Sequence, residues 1–178
     1  MKIFFALILV MTTTPIVLFN FNTQSNIRNW RIVDDVVMGG RSNGEFSVNK
    51  DGHGEFSGYV SLENNGGFSS VRYNFDTLDS SEFSSFQIRL KGDGNKYQFR
   101  VKDNYYQRYS YIYEFKTTGE WQTVEIPFNK MRPSFRGYEL DLPNFSGEKM
   151  EQIAFLIGNK KAQKFKLLLD KITLAQIM

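Results

Sequence analysis

The chain has no cysteine and a single histidine, His53. Without cysteine there is no thiol nucleophile, disulfide framework, Cys-ligated zinc site or iron–sulfur cluster. One histidine excludes a metal site built from several histidines, and its Asp-Gly-His-Gly setting is typical of an exposed turn. No serine has a clear general base near it in the sequence. We therefore expect no catalytic residue, no metal and no cofactor, and predict that the protein is not an enzyme.

The sequence also has only a small net charge and no helical periodicity. The net charge is +3 over 178 residues, too close to neutral to indicate a nucleic-acid partner. No segment repeats its apolar residues with a period of 3.6. The one candidate for a helical turn is residues 146–151, with Ser146 as its N-cap.

What the sequence does contain is period-two alternation of apolar and polar residues. It runs through residues 56–63, 71–75, 86–91, 97–102, 108–115 and 124–128. Residues 153–157 and 165–169 are almost continuously apolar, which is typical of strands buried on both faces. The turn sequence Gly92-Asp93-Gly94-Asn95 predicts a hairpin between two of these runs. Eight to ten such strands predict an all-β fold, an antiparallel β-sandwich or barrel, with residues 129–147 as a long loop over one edge.

The first 25 residues differ from the rest. Lys2 is followed by apolar runs at residues 3–11 and 16–19, a pattern typical of a signal peptide. We expect cleavage after Ser25, which leaves one domain over residues 26–178. An uncleaved membrane anchor, or a buried N-terminal helix or strand, are the alternatives. Either a signal peptide or a membrane anchor would place the domain outside the cytoplasm, as a periplasmic or secreted protein.

Four stretches carry a resemblance to a known family. They are WRIVDDVVMGGRS at residues 30–42, the segment from Phe56 to NGGFSSVR at 65–72, LKGDGNKY at 90–97, and the stretch from Trp121 through Ile-Pro-Phe to Arg136-Gly137. Together they are similar to the complex I intermediate-associated protein 30 family. The resemblance implies a galactose-binding-like jelly roll from about Trp30 to Leu174.

The resemblance also implies a function. Mitochondrial members resemble chaperones that assemble NADH:ubiquinone oxidoreductase, plant-type members are fused to dinucleotide-binding domains, and bacterial members mostly stand alone. This chain has no Gly-x-Gly-x-x-Gly after a strand, and its leader is not an Arg- and Ser-rich transit peptide. These departures point to a protein of the bacterial cell envelope.

We expect the partner-binding surface in a loop cluster of residues 34–42, 66–72 and 133–138. Asp34 and Asp35 either hold a cation or a partner's basic group, or brace the loop through an Asx turn; calcium would need further oxygen ligands. Arg72 is the foremost ligand contact if it faces a pocket. The candidate residues are Asp34, Asp35, Met38, Gly39, Gly40, Ser42, Gly66, Gly67, Phe68, Arg72, Asp93, Tyr105, Tyr106 and Arg136.

Two functions from different classes remain open. The first is a non-enzymatic domain that binds another protein, as an assembly factor or a chaperone for unfolded protein would. The alternative is a carbohydrate-binding module of the cell envelope, in which Tyr105 and Tyr106 stack on sugar rings. The tyrosines at positions 109, 111 and 113 are interpreted as the core face of a strand.

Overall fold

A computed structural model describes residues 14–176 as an all-β fold, as the alternation predicts. Its only helical segments are 3-10 turns at Asp35–Met38, Glu63–Asn65 and Phe128–Lys130, and none of the described helices could cross a membrane. The strands are β1 (Ile16–Asn20), β2 (Trp30–Asp34), β3 (Asn43–Val48), β4 (Gly54–Val60), β5 (Ser69–Asp79), β6 (Ser85–Lys91), β7 (Lys96–Lys102), β8 (Ser110–Lys116), β9 (Trp121–Pro127), β10 (Arg132–Phe135), β11 (Tyr138–Glu139), β12 (Lys149–Ile157) and β13 (Gln163–Ala175).

The strands form two antiparallel sheets packed face to face. The six-stranded sheet has the order β3-β4-β13-β6-β9, with β1 also paired to β13. Strand β13 is 13 residues long, so its first half pairs with β4 and its second half with β6 and β1. The seven-stranded sheet has the order β11-β10-β8-β7-β12-β5-β2. The predicted β-sandwich is confirmed.

The core lies between the two sheets and is rich in aromatic rings. In β7, Tyr97, Phe99 and Val101 point inward and are almost completely buried. Side chains alternate across a strand, so Gln98, Arg100 and Lys102 point away from the core. The same alternation places the polar residues of β5, β8 and β12 on this outer face of the seven-stranded sheet.

Three local predictions were wrong. Gly92–Asn95 does not close a hairpin, because β6 and β7 belong to different sheets; turn residues show where the chain reverses but not which strands pair. The expected helical turn at 146–151 is absent, and β12 begins at Lys149 because its apolar residues are needed in the sheet. The long loop at 129–147 contains β10 and β11, which extend one edge of the seven-stranded sheet.

The sandwich begins before residue 26. Strand β1 lies within the segment predicted as a leader, and it pairs with β13. Phe21 is 5% exposed and packs in the core, with its ring centroid 5.5 Å from that of Trp30. The folded domain therefore reaches at least to Ile16, so cleavage after Ser25 would remove a strand and a core residue. The remainder of the leader, residues 1–13, lies outside the described residues, and its role stays a prediction.

Candidate functional site

Asp35 joins two loops at one end of the sandwich. Its side chain is completely buried, and its oxygens accept hydrogen bonds from the Ser42 amide (2.9 Å), the Ser42 hydroxyl (2.5 Å), the Gly67 amide (2.5 Å) and the Phe68 amide (3.2 Å). Asp34 beside it accepts from the Gly44 amide and the Ser69 hydroxyl. We call Asp34, Asp35 and these donors the carboxylate knot. All four carboxylate oxygens already have partners within the protein.

Gly40 and Gly66 leave room for the Asp35 carboxylate because neither has a Cβ atom. A Cβ atom at Gly40 would lie 2.3 Å from the Asp35 Oδ1, and one at Gly66 would lie 2.6 Å from Oδ2. Burial raises the pKa of Asp35, but the hydrogen bonds from Ser42, Gly67 and Phe68 outweigh it, and the pKa lies below its usual value. The charged form is therefore the stable one. Among residues 14–176, no three acidic, His or Cys side chains group as metal ligands.

Residues 40–44, Gly-Arg-Ser-Asn-Gly, match the pattern of a serine nucleophile elbow. The structure gives Ser42 a different role. Its side chain is buried, its hydroxyl donates to Asp35, and it accepts from the Ser61 amide at 3.0 Å. It also lies in the loop between a 3-10 turn and β3, not at a strand-to-helix turn. Ser42 belongs to the carboxylate knot.

A cleft of about 430 Å³ opens on the outer face of the seven-stranded sheet. Its floor follows from strand register: Ala154 in β12 pairs with Arg72 in β5 on one side and with Arg100 in β7 on the other. Neighbouring strands are about 4.8 Å apart, so the two arginine Cα atoms are roughly 10 Å apart with a methyl group between them. Lys102, Arg108 and Arg136 also line the cleft, which we call the basic cleft.

These five cations have no acidic side chain in direct contact within residues 14–176. None lines the basic cleft, and none of the five cations forms an ion pair within residues 14–176. Arg100 donates to the Gln98 side-chain oxygen from Nε (3.0 Å) and from Nη2 (2.6 Å). Lys102 donates to the Gln107 carbonyl at 2.7 Å. The Arg72 guanidinium makes no hydrogen bond to the described chain. The cleft therefore holds five positive charges, and the hydrogen-bond acceptors that some of them have are neutral groups.

Burial and mutual repulsion disfavour these charges. Burial and then the charge of Arg72 lower the pKa of Arg100 to about 10, although Glu114 opposes the shift. Burial, followed by the charges of Arg72 and Arg100, lowers the pKa of Lys102. Burial also lowers the pKa of Arg72, although the nearby Tyr105 opposes the shift. In each case burial makes the positive charge less favourable, and an anion in the cleft would offset that cost.

The two ends of the cleft differ in chemistry. At one end, Met38, Phe68 and Leu156 form an apolar lining. At the other end, the guanidinium groups of Arg108 and Arg136 lie 5.5 and 5.3 Å from the centre of the Phe135 ring, within cation–π range. Arg136 is held there by a two-residue turn between β10 and β11, in which Arg136 and Gly137 both have positive φ.

The predicted site residues divide into two groups. Met38, Gly67, Phe68, Arg72 and Arg136 line the basic cleft. The other candidates do not line it: Asp34, Asp35, Gly39, Gly40, Ser42, Gly66, Asp93, Tyr105 and Tyr106. The Asp93 carboxylate accepts from the Tyr97 hydroxyl (3.1 Å) and the Lys166 amide (2.8 Å). Tyr105 and Tyr106 are exposed in the β7–β8 turn, with ring centroids 5.3 Å apart.

Sequence reasoning missed Arg100, Lys102 and Arg108. The alternation in β7 already places Arg100 and Lys102 on the polar face of their strand. Their proximity to Arg72 depends on β12 lying between β5 and β7, which no local pattern predicts.

The sequence predicts an exposed His53, but the residue is half-buried, with its ring 4.6 Å from Trp121 and its Nδ1 3.6 Å from Asp170. Tyr111 is buried, and Tyr109 and Tyr113 pack against the core.

The sequence matches the complex I intermediate-associated protein 30 family over residues 19–169. The chain belongs to this family. It is 29% identical over 180 residues to an uncharacterized protein of Schizosaccharomyces pombe, covering 88% of this chain and 82% of that protein. It is 25% identical over 183 residues to the mitochondrial complex I intermediate-associated protein 30 of Mus musculus. That match covers 88% of this chain but 55% of the mouse protein.

The fold is also similar to that of carbohydrate-binding modules. A family 11 module from Clostridium thermocellum, solved in complex with a β-1,3-1,4-mixed-linked tetrasaccharide, aligns with a TM-score of 0.66. The alignment covers 92% of this chain and 96% of that module at 21% sequence identity. At this identity the likeness shows a shared fold and carries no ligand across.

Proposed function

We propose that this chain is a non-enzymatic binding domain that engages another protein through the basic cleft, in the manner of an assembly factor. The observation that carries the proposal is a cleft lined by five cations, none of which forms an ion pair with the part of the chain that the structure describes. Arginines whose guanidinium groups lack internal acceptors are suited to carboxylate recognition, because the planar fork can donate two parallel hydrogen bonds. Family membership supports a protein partner, since the mouse relative is named for association with a complex I intermediate.

The second candidate is a carbohydrate-binding module. The similarity to the family 11 module and the exposed Tyr105–Tyr106 pair favour it. Sugar sites of this kind use aromatic rings as a stacking platform. Among the described residues, the aromatic side chains that line the basic cleft are Phe68 and Phe135, and two arginines lie against Phe135. Tyr105 lies beside the cleft, where its carbonyl accepts a hydrogen bond from Lys102 at 3.4 Å and its side chain opposes the burial that lowers the pKa of Arg72, but neither Tyr105 nor Tyr106 lines the cleft. We rank protein binding first because five cations line the cleft.

Affinity capture with matched variants tests this function. The tagged full chain is used to capture partners from an envelope extract, beside an Arg72→Gln/Arg100→Gln variant and an Arg28→Gln control whose exposed arginine lies outside the cleft. We expect a reproducible protein partner that is lost with the double variant and kept with the control. A partner retained by the double variant would contradict the proposal. A glycan array that binds the wild-type chain while no protein is captured would favour the alternative.

We also propose that the domain works outside the cytoplasm, on the basis of Lys2 and the apolar runs that follow it. Mass spectrometry of the protein isolated from cells identifies its first residue, and fractionation gives its compartment. We expect an envelope or extracellular protein. An intact Met1 in a cytosolic fraction would contradict this. Because β1 and Phe21 belong to the sandwich, a shortened chain that begins at residue 26 should be markedly less stable.

A further inference from the structure

We propose that the basic cleft binds an extended acidic segment of its partner, with an apolar residue followed at every second position by two carboxylates. This inference rests on the proposed protein-binding function and names its ligand. It follows from the positions of the apolar and basic groups along the floor of the cleft.

Three rows of side chains cross this floor. The first contains Leu156, which pairs with Ser70 and Gln98. The second is Arg72–Ala154–Arg100, and the third contains Gln152 and Lys102. Successive rows are two residues apart along the strands, a distance of about 7 Å.

An extended peptide has the same repeat. Side chains at positions i, i+2 and i+4 lie on one side of the peptide, also about 7 Å apart. An apolar side chain at position i would contact Met38, Phe68 and Leu156. A carboxylate at i+2 would lie above Ala154 between Arg72 and Arg100, and a carboxylate at i+4 would lie near Lys102. Arg72, Arg100 and Lys102 each thereby gain an acceptor of opposite charge.

The middle row determines the specificity. Ala154 lines the floor of the cleft between the two arginines, although its neighbours leave it only 3% exposed. Its side chain is a single methyl group, so we place the ligand carboxylate above it, between the two guanidinium groups. The Arg72 guanidinium has no acceptor in the described chain, and that of Arg100 has only the neutral Gln98 oxygen. A neutral ligand would leave both guanidinium groups without an anionic hydrogen-bond acceptor, whereas a carboxylate could receive hydrogen bonds from both.

Fluorescence anisotropy with labelled peptides tests this inference. The probe is Gly-Ser-Leu-Ser-Glu-Ser-Glu-Ser-Gly, and the control peptides carry Lys or Gln at both Glu positions. We expect the acidic peptide to bind the full chain and neither control peptide to bind. Affinity should fall about tenfold or more in Arg100→Gln and in Arg72→Gln, as expected for loss of a charge-assisted hydrogen bond. It should also fall as salt rises.

Two further variants make the result specific. Ala154→Leu keeps every charge but fills the space between the arginines, so it should abolish peptide binding. Arg28→Gln removes an exposed charge elsewhere and should leave binding unchanged. Equal loss in Arg28→Gln and Arg100→Gln, or full binding by Ala154→Leu, would overturn the inference. Thermal melting confirms that each variant is folded.

The inference and the proposed function can fail separately. If the captured protein depends on Arg100 but the acidic peptide binds no better than its Gln counterpart, the function stands and the acidic ligand is wrong. If oligogalacturonate binds in an Arg100-dependent way and the peptide does not, the ligand is an acidic carbohydrate and the inference is overturned. If neither capture nor peptide binding depends on the cleft, both are wrong.

Discussion

The carboxylate knot and the basic cleft are both clusters of charge at the seven-stranded sheet, and they differ in how their charges are satisfied. Every oxygen of Asp34 and Asp35 accepts a hydrogen bond from the protein itself. Within residues 14–176, the cations of the cleft have only neutral hydrogen-bond acceptors or none. Asp35, which accepts four hydrogen bonds from the protein, stabilises the fold and has little capacity left for a ligand. A charged group without partners costs stability, and that cost is recovered when a ligand binds.

This difference changes the interpretation of the Asp34–Ser42 and Gly66–Arg72 motifs. They contain the residues most typical of the family resemblance, yet most of their polar groups hold the loops to each other. From these motifs, Met38, Gly67, Phe68, Ser70 and Arg72 reach the cleft. The motifs therefore build and brace one end of the cleft, while β7 and the β7–β8 turn supply most of its charge.

The largest expected effect is at Asp35. Asp35→Ala would remove four hydrogen bonds, and the buried Ser42 amide and the partly buried Gly67 and Phe68 amides would lose their acceptor. We expect a loss of ~3 kcal/mol or more in the free energy of unfolding, because hydrogen bonds to a charged acceptor are strong and buried unpaired donors are costly. Urea unfolding measures it, with the exposed Asp51→Ala as a control. A change below about 1 kcal/mol would show that the knot is not structural and would reopen Asp35 as a ligand contact.

The second expected effect, at Arg100, is a gain in the free energy of unfolding. Burial and the charge of Arg72 lower the pKa of Arg100 to about 10 in the folded chain. A lowered pKa means that the positive charge is less favourable in the folded than in the unfolded state at every pH below it. Arg100→Gln should therefore stabilise the free domain by about 1–2 kcal/mol, after allowance for the lost hydrogen bonds to Gln98.

Differential scanning calorimetry checks this gain as a rise in Tm of about 3–6 °C. Arg28→Gln is the control and should change Tm little. The same Arg100→Gln variant should lose the acidic peptide, so stability and binding change in opposite directions. If Arg100→Gln were less stable than the wild type, Arg100 would stabilise the fold as Asp35 does, and the contrast between the carboxylate knot and the basic cleft would be wrong.

Part of this site could be predicted from the sequence. Period-two alternation places Gln98, Arg100 and Lys102 on one face of their strand, and it identifies the inward aromatic residues correctly. It cannot bring Arg72 next to Arg100, because their proximity requires β12, more than 50 residues further along the chain, to lie between them. The hairpin predicted at 92–95 failed for the same reason. Local residues determine strands and turns, whereas long-range packing determines which strands become neighbours.

The pH dependence of stability gives a smaller and more selective test of the knot. Hydrogen bonds from Ser42, Gly67 and Phe68 overcome the opposing effect of burial and hold the pKa of Asp35 below its usual value. A depressed carboxyl pKa contributes stability above the unfolded pKa of about 4, and this contribution is lost as the pH falls through the folded pKa. Wild-type stability should therefore fall more steeply below pH 4 than that of Asp35→Asn.

Asp79 and Glu151 also have lowered pKa values, from hydrogen bonds to Ser81 and to Tyr105 and Thr77 respectively. Both are present in wild type and in Asp35→Asn, so their contributions cancel in the difference between the two unfolding profiles. Parallel profiles between pH 2 and 6 would show that Asp35 is not held in its charged form by the knot.

The smallest expected effect is at Tyr106, and it decides between the two ligand classes. Tyr106 is 87% exposed, and its hydrogen bond to Asn104 comes from the backbone amide, which Tyr106→Ala retains. We expect the free energy of unfolding to change by less than about 0.5 kcal/mol and peptide affinity to stay the same. Tyr59→Ala, an exposed tyrosine on the six-stranded sheet, is the matched control. If Tyr106→Ala instead abolished binding of a mixed-linked tetrasaccharide that Arg100→Gln still bound, the functional surface would be the tyrosine pair. The unpaired cations of the cleft would then need another explanation.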